Sequence, residues 1–405
     1  MDKREFIKAG AAIAGVAALP HGTVLAQATP GAIRIGYAIS MSGPLGGPAE
    51  STTVSQYKLW QKRTNDAGGI LLKRFGRKVP IELVEYDDRG QPDELLKLTE
   101  RLILQDKVDL ILSPYATHMN LAAAPILNKY EYPTIMTTAG AARIYELAPR
   151  WPYAFWSLAQ PNEATAPLAT LCAGLKRDGK IKGRIAVVHA GVQYGVEMHT
   201  ALLAAAKKEG LDVVFSKSYP MGVTDLQPLI REVMASTPDV FVAFSYPADT
   251  FLLTEQAKLV GFNPPVFYAA IGSAFPSFKG KFGSNVEGIM VYDGMDIGAP
   301  GLEDYNKAHR AMFNRESQIH AVGIYGCLEV LQQAIEAAGE LDRKKIRDEI
   351  AKGPFKTVWG DVQFTNQRNA DPWAVGQWQS GQVVGLYPAK KAGAKPLLFP
   401  KPAWS

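Results

Sequence analysis

Few residues of this chain are arranged to do chemistry. Asp87 and Asp88 are adjacent carboxylates at the end of an apolar run, and paired carboxylates can divide general-acid and general-base work. They stand just before Arg89 and a helix start, where capping and ion pairing account for them more simply. Ser273, in Ile271-Gly272-Ser273-Ala274, lacks the glycine spacing of a nucleophile elbow. The six histidines lie singly, none in an H-E-x-x-H pair. Neither a G-x-x-x-x-G-K-[ST] phosphate loop nor a strand-following G-x-G-x-x-G occurs. No metal or cofactor is called for. Tyr194 remains, with an aromatic face and a hydroxyl to offer a ligand.

Tyr194 is placed by the stretch Arg184–Glu197. Ile185–Val188 is a short apolar run of the kind that forms a strand buried on both faces of a parallel sheet. Gly191 and Gly195 interrupt the chain, and helical spacing follows from Val196 to Lys208. The tyrosine therefore sits at the carboxyl end of a strand, the edge where open α/β sheets bind ligands. The same alternation runs through the chain. Strands are expected over 33–39, 79–86, 109–112 and 133–137, then over 185–188, 213–217, 240–244 and 266–270. Helices are expected between them, then over 302–315, 320–338 and 342–352, with short strands in 359–367 and 373–387. Val108–Tyr115 and Pro238–Tyr246 both run from Asp through an apolar strand to Ser and Tyr, a short internal echo. Two similar α/β lobes would bring both sets of strand ends to one cleft.

At 405 residues the chain is long for one core, and its formal charge of +5 is spread without a basic run. Nucleic acid is not an expected partner. Lys3, Arg4 and Lys8 precede the apolar run Ala9–Leu19, Pro20 ends it, and a small-residue cleavage site follows before Thr29. That is the pattern of an export signal over 1–28, with Lys3-Arg4 resembling a twin-arginine signal whose first arginine is lysine. The mature chain is expected to be periplasmic. Cys172 and Cys327 each lie in an apolar helical pattern, where a free buried thiol is an ordinary filler, although a bridge is open to them.

Four passages resemble a known family: Tyr37-Ala-Ile-Ser-Met-Ser-Gly-Pro44, Glu85-Tyr-Asp-Asp88, Thr134-Ile-Met-Thr-Thr-Ala139 and Val187-Val-His-Ala-Gly-Val-Gln-Tyr-Gly195. In order and spacing they are similar to the periplasmic solute-binding proteins of ABC importers, of the branched-chain amino acid (leucine/isoleucine/valine) type. The resemblance implies two doubly wound parallel-sheet lobes joined by a three-crossover hinge, the type I architecture. It implies crossings near 157, 290 and 357. Lobe 1 would then be 29–157 plus 290–357, and lobe 2 would be 158–289 plus 358–405. Its implied partners are a small-molecule ligand and the importer's permease subunits, served by a monomer rather than an enzyme.

The family's site carries over onto particular positions. Its carboxylate-binding hydroxyl falls on Thr117, with backbone contacts at Tyr115, Ala116 and Ala139. The closing aromatic falls on Tyr194, and a second tyrosine on Tyr246. The residues that hold an amino acid's ammonium fall on Ala141 and Ile271, neither of which can do so. Burying an ammonium without its counter-charge costs several kcal/mol. The expected ligand is therefore a carboxylate without an α-ammonium. Tyr115, Trp156, Tyr194 and Tyr246 would suit an aromatic acid of benzoate or hydroxycinnamate type, with a 2-oxo acid next. An amino acid or amide receptor of the same family, and an extracytoplasmic α/β enzyme, stay open as alternatives. Arg143 and His118 are near enough in sequence to add a charge, but solvated positions explain both.

Overall fold

A computed structural model describes residues 30–405, so the export segment expected over 1–28 lies outside the described residues. Among the described residues, no helix is long and apolar enough to cross a membrane. The strand Ile33–Ile39 lies between Ile81–Asp87 and Leu110–Ile111, both parallel to it. Thr134–Met136 and Ala154–Trp156 pair in parallel nearby in the sequence order, and Arg368–Asn369 joins the latter. A seven-stranded sheet follows, ordered 382–387, 375–379, 290–292, 266–269, 240–244, 184–190 and 212–219. The five strands from 184 to 292 are parallel, and the two C-terminal strands add an antiparallel edge.

Period-two alternation explains why these strands read as unbroken apolar runs. Ile185, Val187, Val240 and Val242 face one buried cluster, while Ala186, Val188, Phe241 and Ala243 face another on the opposite side. Both faces are covered by helices, so neither can be polar. The lobe built on Ile33–Ile39 has its own core, to which the helix Ile319–Ala338 contributes heavily. Cys172 and Cys327 are both free and buried, one in each lobe's core.

The last passage between cores comes later than the position near 357 implied by the resemblance. Val358, Trp359, Val362 and Phe364 all belong to the first core, and Arg368 pairs with Trp156. Only from Ala374 does the chain join the second core. Residues 358–369, assigned above to lobe 2, are thus packed in lobe 1. Trp359 anchors them. A Cβ at Gly323 would lie 3.2 Å from its ring, and one at Gly326 would lie 3.0 Å from its Cβ, so these two glycines make the groove it occupies. The run 79–86 also divides: Pro80 separates Ile81–Asp87 from a hairpin of Ile70–Leu72 with Arg77–Val79.

The carboxylate pair holds a loop. Asp87 accepts from the backbone N–H groups of Met41, Ser42 and Arg89, and Asp88 from the Ser40 hydroxyl and Gly90 N–H. Neither caps the helix Pro92–Leu104, whose start has no side-chain cap. The pair is thus structural through loop hydrogen bonds rather than through capping or ion pairing. Ser273 is fully buried and donates to the carbonyl of Ala270 at 2.9 Å, so its hydroxyl is engaged by backbone rather than by a base.

Candidate ligand-binding site

Between the lobes lies a small cavity walled by the ends of strands and the starts of helices. From the first lobe come Thr52, Tyr115, Ala116, Thr117, Thr137, Thr138 and Gly140. Leu158, Tyr194, Tyr246, Ile271, Phe275 and Tyr292 face them, and His320 joins from the start of Ile319–Ala338. Its volume open to the centre of a water molecule is about 40 Å³. Among these lining residues there is no Asp, Glu, Lys or Arg.

The first-lobe wall is built for an anion. The helix Thr117–Lys129 has no side-chain cap at its start, so its first N–H groups are unpaired by the protein's own side chains. Such groups, reinforced by the helix dipole, attract a carboxylate. Gly140 N–H donates to Thr117 Oγ1 at 3.2 Å, which leaves the threonine's own hydrogen free to donate. Ala116, just before the helix, has φ +78° and ψ 151°, a region nearly reserved for glycine. Its N–H is held by Thr138 Oγ1 at 3.0 Å, and Asn120 Nδ2 braces the same hydroxyl. Strain of this kind costs about 1–3 kcal/mol, whereas glycine's extra unfolded freedom costs about 0.4–1 kcal/mol. Ala116→Gly should therefore raise the stability of the ligand-free protein by about 1 kcal/mol, read from its urea midpoint. A lower midpoint would mean that the strain is not stored there.

The opposite wall is aromatic. Tyr194 is the second residue of the helix Gln193–Lys208. Its ring meets Tyr246 edge-on at 5.5 Å and Tyr292 at 6.4 Å. Tyr292 donates its hydroxyl to Ala159 O at 2.6 Å, so it is fixed, while the buried Tyr194 hydroxyl has no partner. Burial pushes the Tyr246 hydroxyl up to about 12, and holds those of Tyr115, Tyr194 and Tyr292 above the usual phenol range. All four are donors at neutral pH. Burial also pushes His320 down to about 4, so its imidazole is neutral.

Tyr115, Ala116, Thr117, Tyr194, Tyr246 and Ile271 are therefore brought together by the fold. Trp156, Ala139 and Ala141 do not line the cavity. Trp156 is fully buried in the first core, stacked obliquely on Trp151 at 6.3 Å. The side chain of Gln160 occupies the backbone at the other two, accepting from Ala141 N–H at 3.0 Å and donating to Ala139 O at 3.4 Å. His118 and Arg143 are exposed. Sequence reading missed Thr137, Thr138 and Gly140, which lie in or beside a quoted passage, and Thr52, Leu158, Phe275, Tyr292 and His320, which lie outside them. Thr52 lies in a π-helical segment, Glu50–Val54, a distortion often found at functional sites.

Besides those of Gln160, two polar contacts join the lobes beside this cavity. Ala142 N–H donates to Glu197 Oε2 at 3.1 Å, and Arg368 Nη1 lies 2.6 Å from Glu163 Oε1. The polar clasp lies beside the cavity rather than within it.

The chain belongs to the family described as periplasmic binding protein, which it matches over residues 32–382. It is 24% identical over 396 residues to Leu/Ile/Val-binding protein homolog 7 of Brucella melitensis biotype 1, covering 92% of this chain and 96% of that one. Its fold is shared with an ABC transporter solute-binding protein from R. palustris, solved with benzoate, at 20% identity and a TM-score of 0.75. The match covers 91% of this chain and 99% of that chain. A branched-chain amino acid transporter substrate-binding protein from Streptococcus pneumoniae, solved with isoleucine, gives 21% identity and a TM-score of 0.72. That likeness covers 87% of this chain and 97% of the other. Proteins of this family are substrate-binding receptors that work with ABC transporter permeases.

Proposed function

We propose that this chain is a monomeric periplasmic receptor, not an enzyme, whose ligand is a small carboxylate lacking an α-ammonium. An aromatic monocarboxylate of the benzoate or hydroxycinnamate type fits best, and a 2-oxo acid is next. One observation carries this reading: among the described residues no carboxylate lines the cavity, and Ile271 presents an apolar wall instead. An amino acid bound here would bury its ammonium unpaired, at a cost of about 3 kcal/mol or more. That is over a hundredfold in affinity.

The carboxylate would cap the helix starting at Thr117 and accept from the threonine hydroxyl. Tyr115, Tyr194, Tyr246 and Phe275 would enclose the ring, through offset or edge contacts worth about 0.5–1.5 kcal/mol each beyond their buried area. The benzoate-bound R. palustris fold supports this class. A cavity that takes up benzene is about 150 Å³, several times the room present here, so the lobes must part and reclose at a wider setting. Hinge closure of this kind is how such proteins couple binding to delivery. The second reading, a branched-chain amino acid, is favoured by the name of the Brucella relative.

Mass spectrometry of the ligand released from natively purified protein tests both, with a thermal-shift panel of benzoate, a hydroxycinnamate, a 2-oxo acid and leucine. A ligand at about a hundred times its Kd should add roughly 2.7 kcal/mol of stability. Stabilisation by leucine but by none of the acids would overturn the proposal.

A further inference from the structure

Among the described residues, His320 is the one imidazole on the cavity wall, and neither of its ring nitrogens has a hydrogen-bond partner. It stacks on Tyr292 at 6.0 Å with an interplanar angle of 29°, so the ring is held by packing while its edge is left unpaired. The Tyr194 hydroxyl, also on the wall, is likewise buried and unpartnered. A neutral imidazole presents one donor and one acceptor, and a phenol presents a further donor. Leaving such groups dry and unpaired costs about 1–3 kcal/mol each. With its carboxylate held as proposed by Thr117 and the helix start, an acid with no other polar group would leave His320 and Tyr194 unpaired.

We infer that His320 makes this cavity select a carboxylate that carries a second, uncharged hydrogen-bonding group, a hydroxyl, over the same acid without it. This rests on the proposed aromatic-acid reading and narrows it. A hydroxyl both donates and accepts, so it can pair with either tautomer of His320, or bridge it to Tyr194. A second carboxylate is excluded by the absence of any cation among the lining residues. A site built to bond a hydroxyl rejects the analogue lacking it much more strongly than an apolar pocket discriminates by size.

The test is isothermal titration of the wild type, His320→Phe and His320→Gln with benzoate and with 2-, 3- and 4-hydroxybenzoate. Phenylalanine keeps the ring on Tyr292 and removes both nitrogens; glutamine keeps a donor and an acceptor. In the wild type, at least one hydroxybenzoate should bind about tenfold or more tightly than benzoate, a discrimination of the order of 1.4 kcal/mol. In His320→Phe that ratio should collapse to within about threefold, mostly through weaker binding of the hydroxylated acid, and His320→Gln should keep part of it. If benzoate binds the wild type as well as every hydroxybenzoate, the inference fails while the aromatic-acid reading stands. An equal preference in wild type and His320→Phe also overturns it, and would assign the hydroxyl to another group or His320 to an ordered water. If none of the four acids binds, the inference falls with the benzoate reading, and the hydroxycinnamate arm of the thermal-shift panel decides the rest of the aromatic-acid reading. A wild-type ratio near one overturns the inference by itself, and if His320→Phe does not fold, His320→Leu, which also lacks both nitrogens, supplies the same comparison.

Discussion

Ile271→Glu should weaken binding of an aromatic acid by more than a hundredfold. Residue 271 follows the strand Val266–Ala269 and lines the cavity, with its backbone tied by the Thr250 hydroxyl to Ile271 O at 2.5 Å. A glutamate there would place a carboxylate in a cavity with no Lys or Arg among its lining residues. Together with the ligand's carboxylate, it would make two anions in one dry space, and one of them must be neutralised at a cost of about 3 kcal/mol or more. The same change supplies the counter-charge that an ammonium lacks, so affinity for leucine should rise in the variant. Because Ile271 is only partly buried, the stability of the ligand-free protein should fall much less than the affinity. Calorimetric titration of both ligands reads the result; unchanged affinity for the acid would place residue 271 outside the binding contact.

Gly195→Ala should damage both fold and binding. A Cβ at this position would lie 2.1 Å from Ala190 O, a backbone atom that cannot swing aside. The helix Gln193–Lys208 must then move off the end of the strand Arg184–Ala190, carrying Tyr194 with it. Forced overpacking of this kind costs about 1–3 kcal/mol, and contact with rigid backbone belongs at the upper end. Ligand affinity should fall by a further tenfold or more as the tyrosine leaves its place over the cavity. Gly191→Ala is the control, because its Cβ would meet Tyr219 O at an ordinary 3.4 Å. Chemical denaturation of the two variants in parallel should separate them clearly. Equal stabilities would show that the helix start has slack which the close approach conceals.

What could be read from the residues follows from how local each signal is. The strand Arg184–Ala190 and the helices 319–338 and 343–352 announce themselves through apolar periodicity and glycine stops, which depend on neighbouring residues alone. Tyr194 could be found because it stands where a strand hands over to a helix, whereas Thr117 and Tyr246 are reached only through the family resemblance. Trp156 could not be placed correctly by the same logic, since an aromatic near a lobe junction reads identically whether it faces the cleft or, as here, Trp151. The late third passage was hidden for a similar reason. Trp359 prefers the groove of Gly323 and Gly326, a contact set by residues over thirty positions away. His320 left a weaker trace: an imidazole in the first turn of a helix whose neighbours Ile319, Ala321 and Val322 are all buried and apolar.

The bond between Ala142 N–H and Glu197 is made wholly within the protein, so the lobes need no ligand to make it. It therefore lends part of its free energy to an empty shut state, at most about 1.5–3 kcal/mol for a charge-assisted bond. A transporter that responds to the shut form would then be visited by empty receptors in proportion, and would spend ATP on idle cycles. In a receptor of this family, such a clasp would weigh resting closure against idle turnover of the partner transporter.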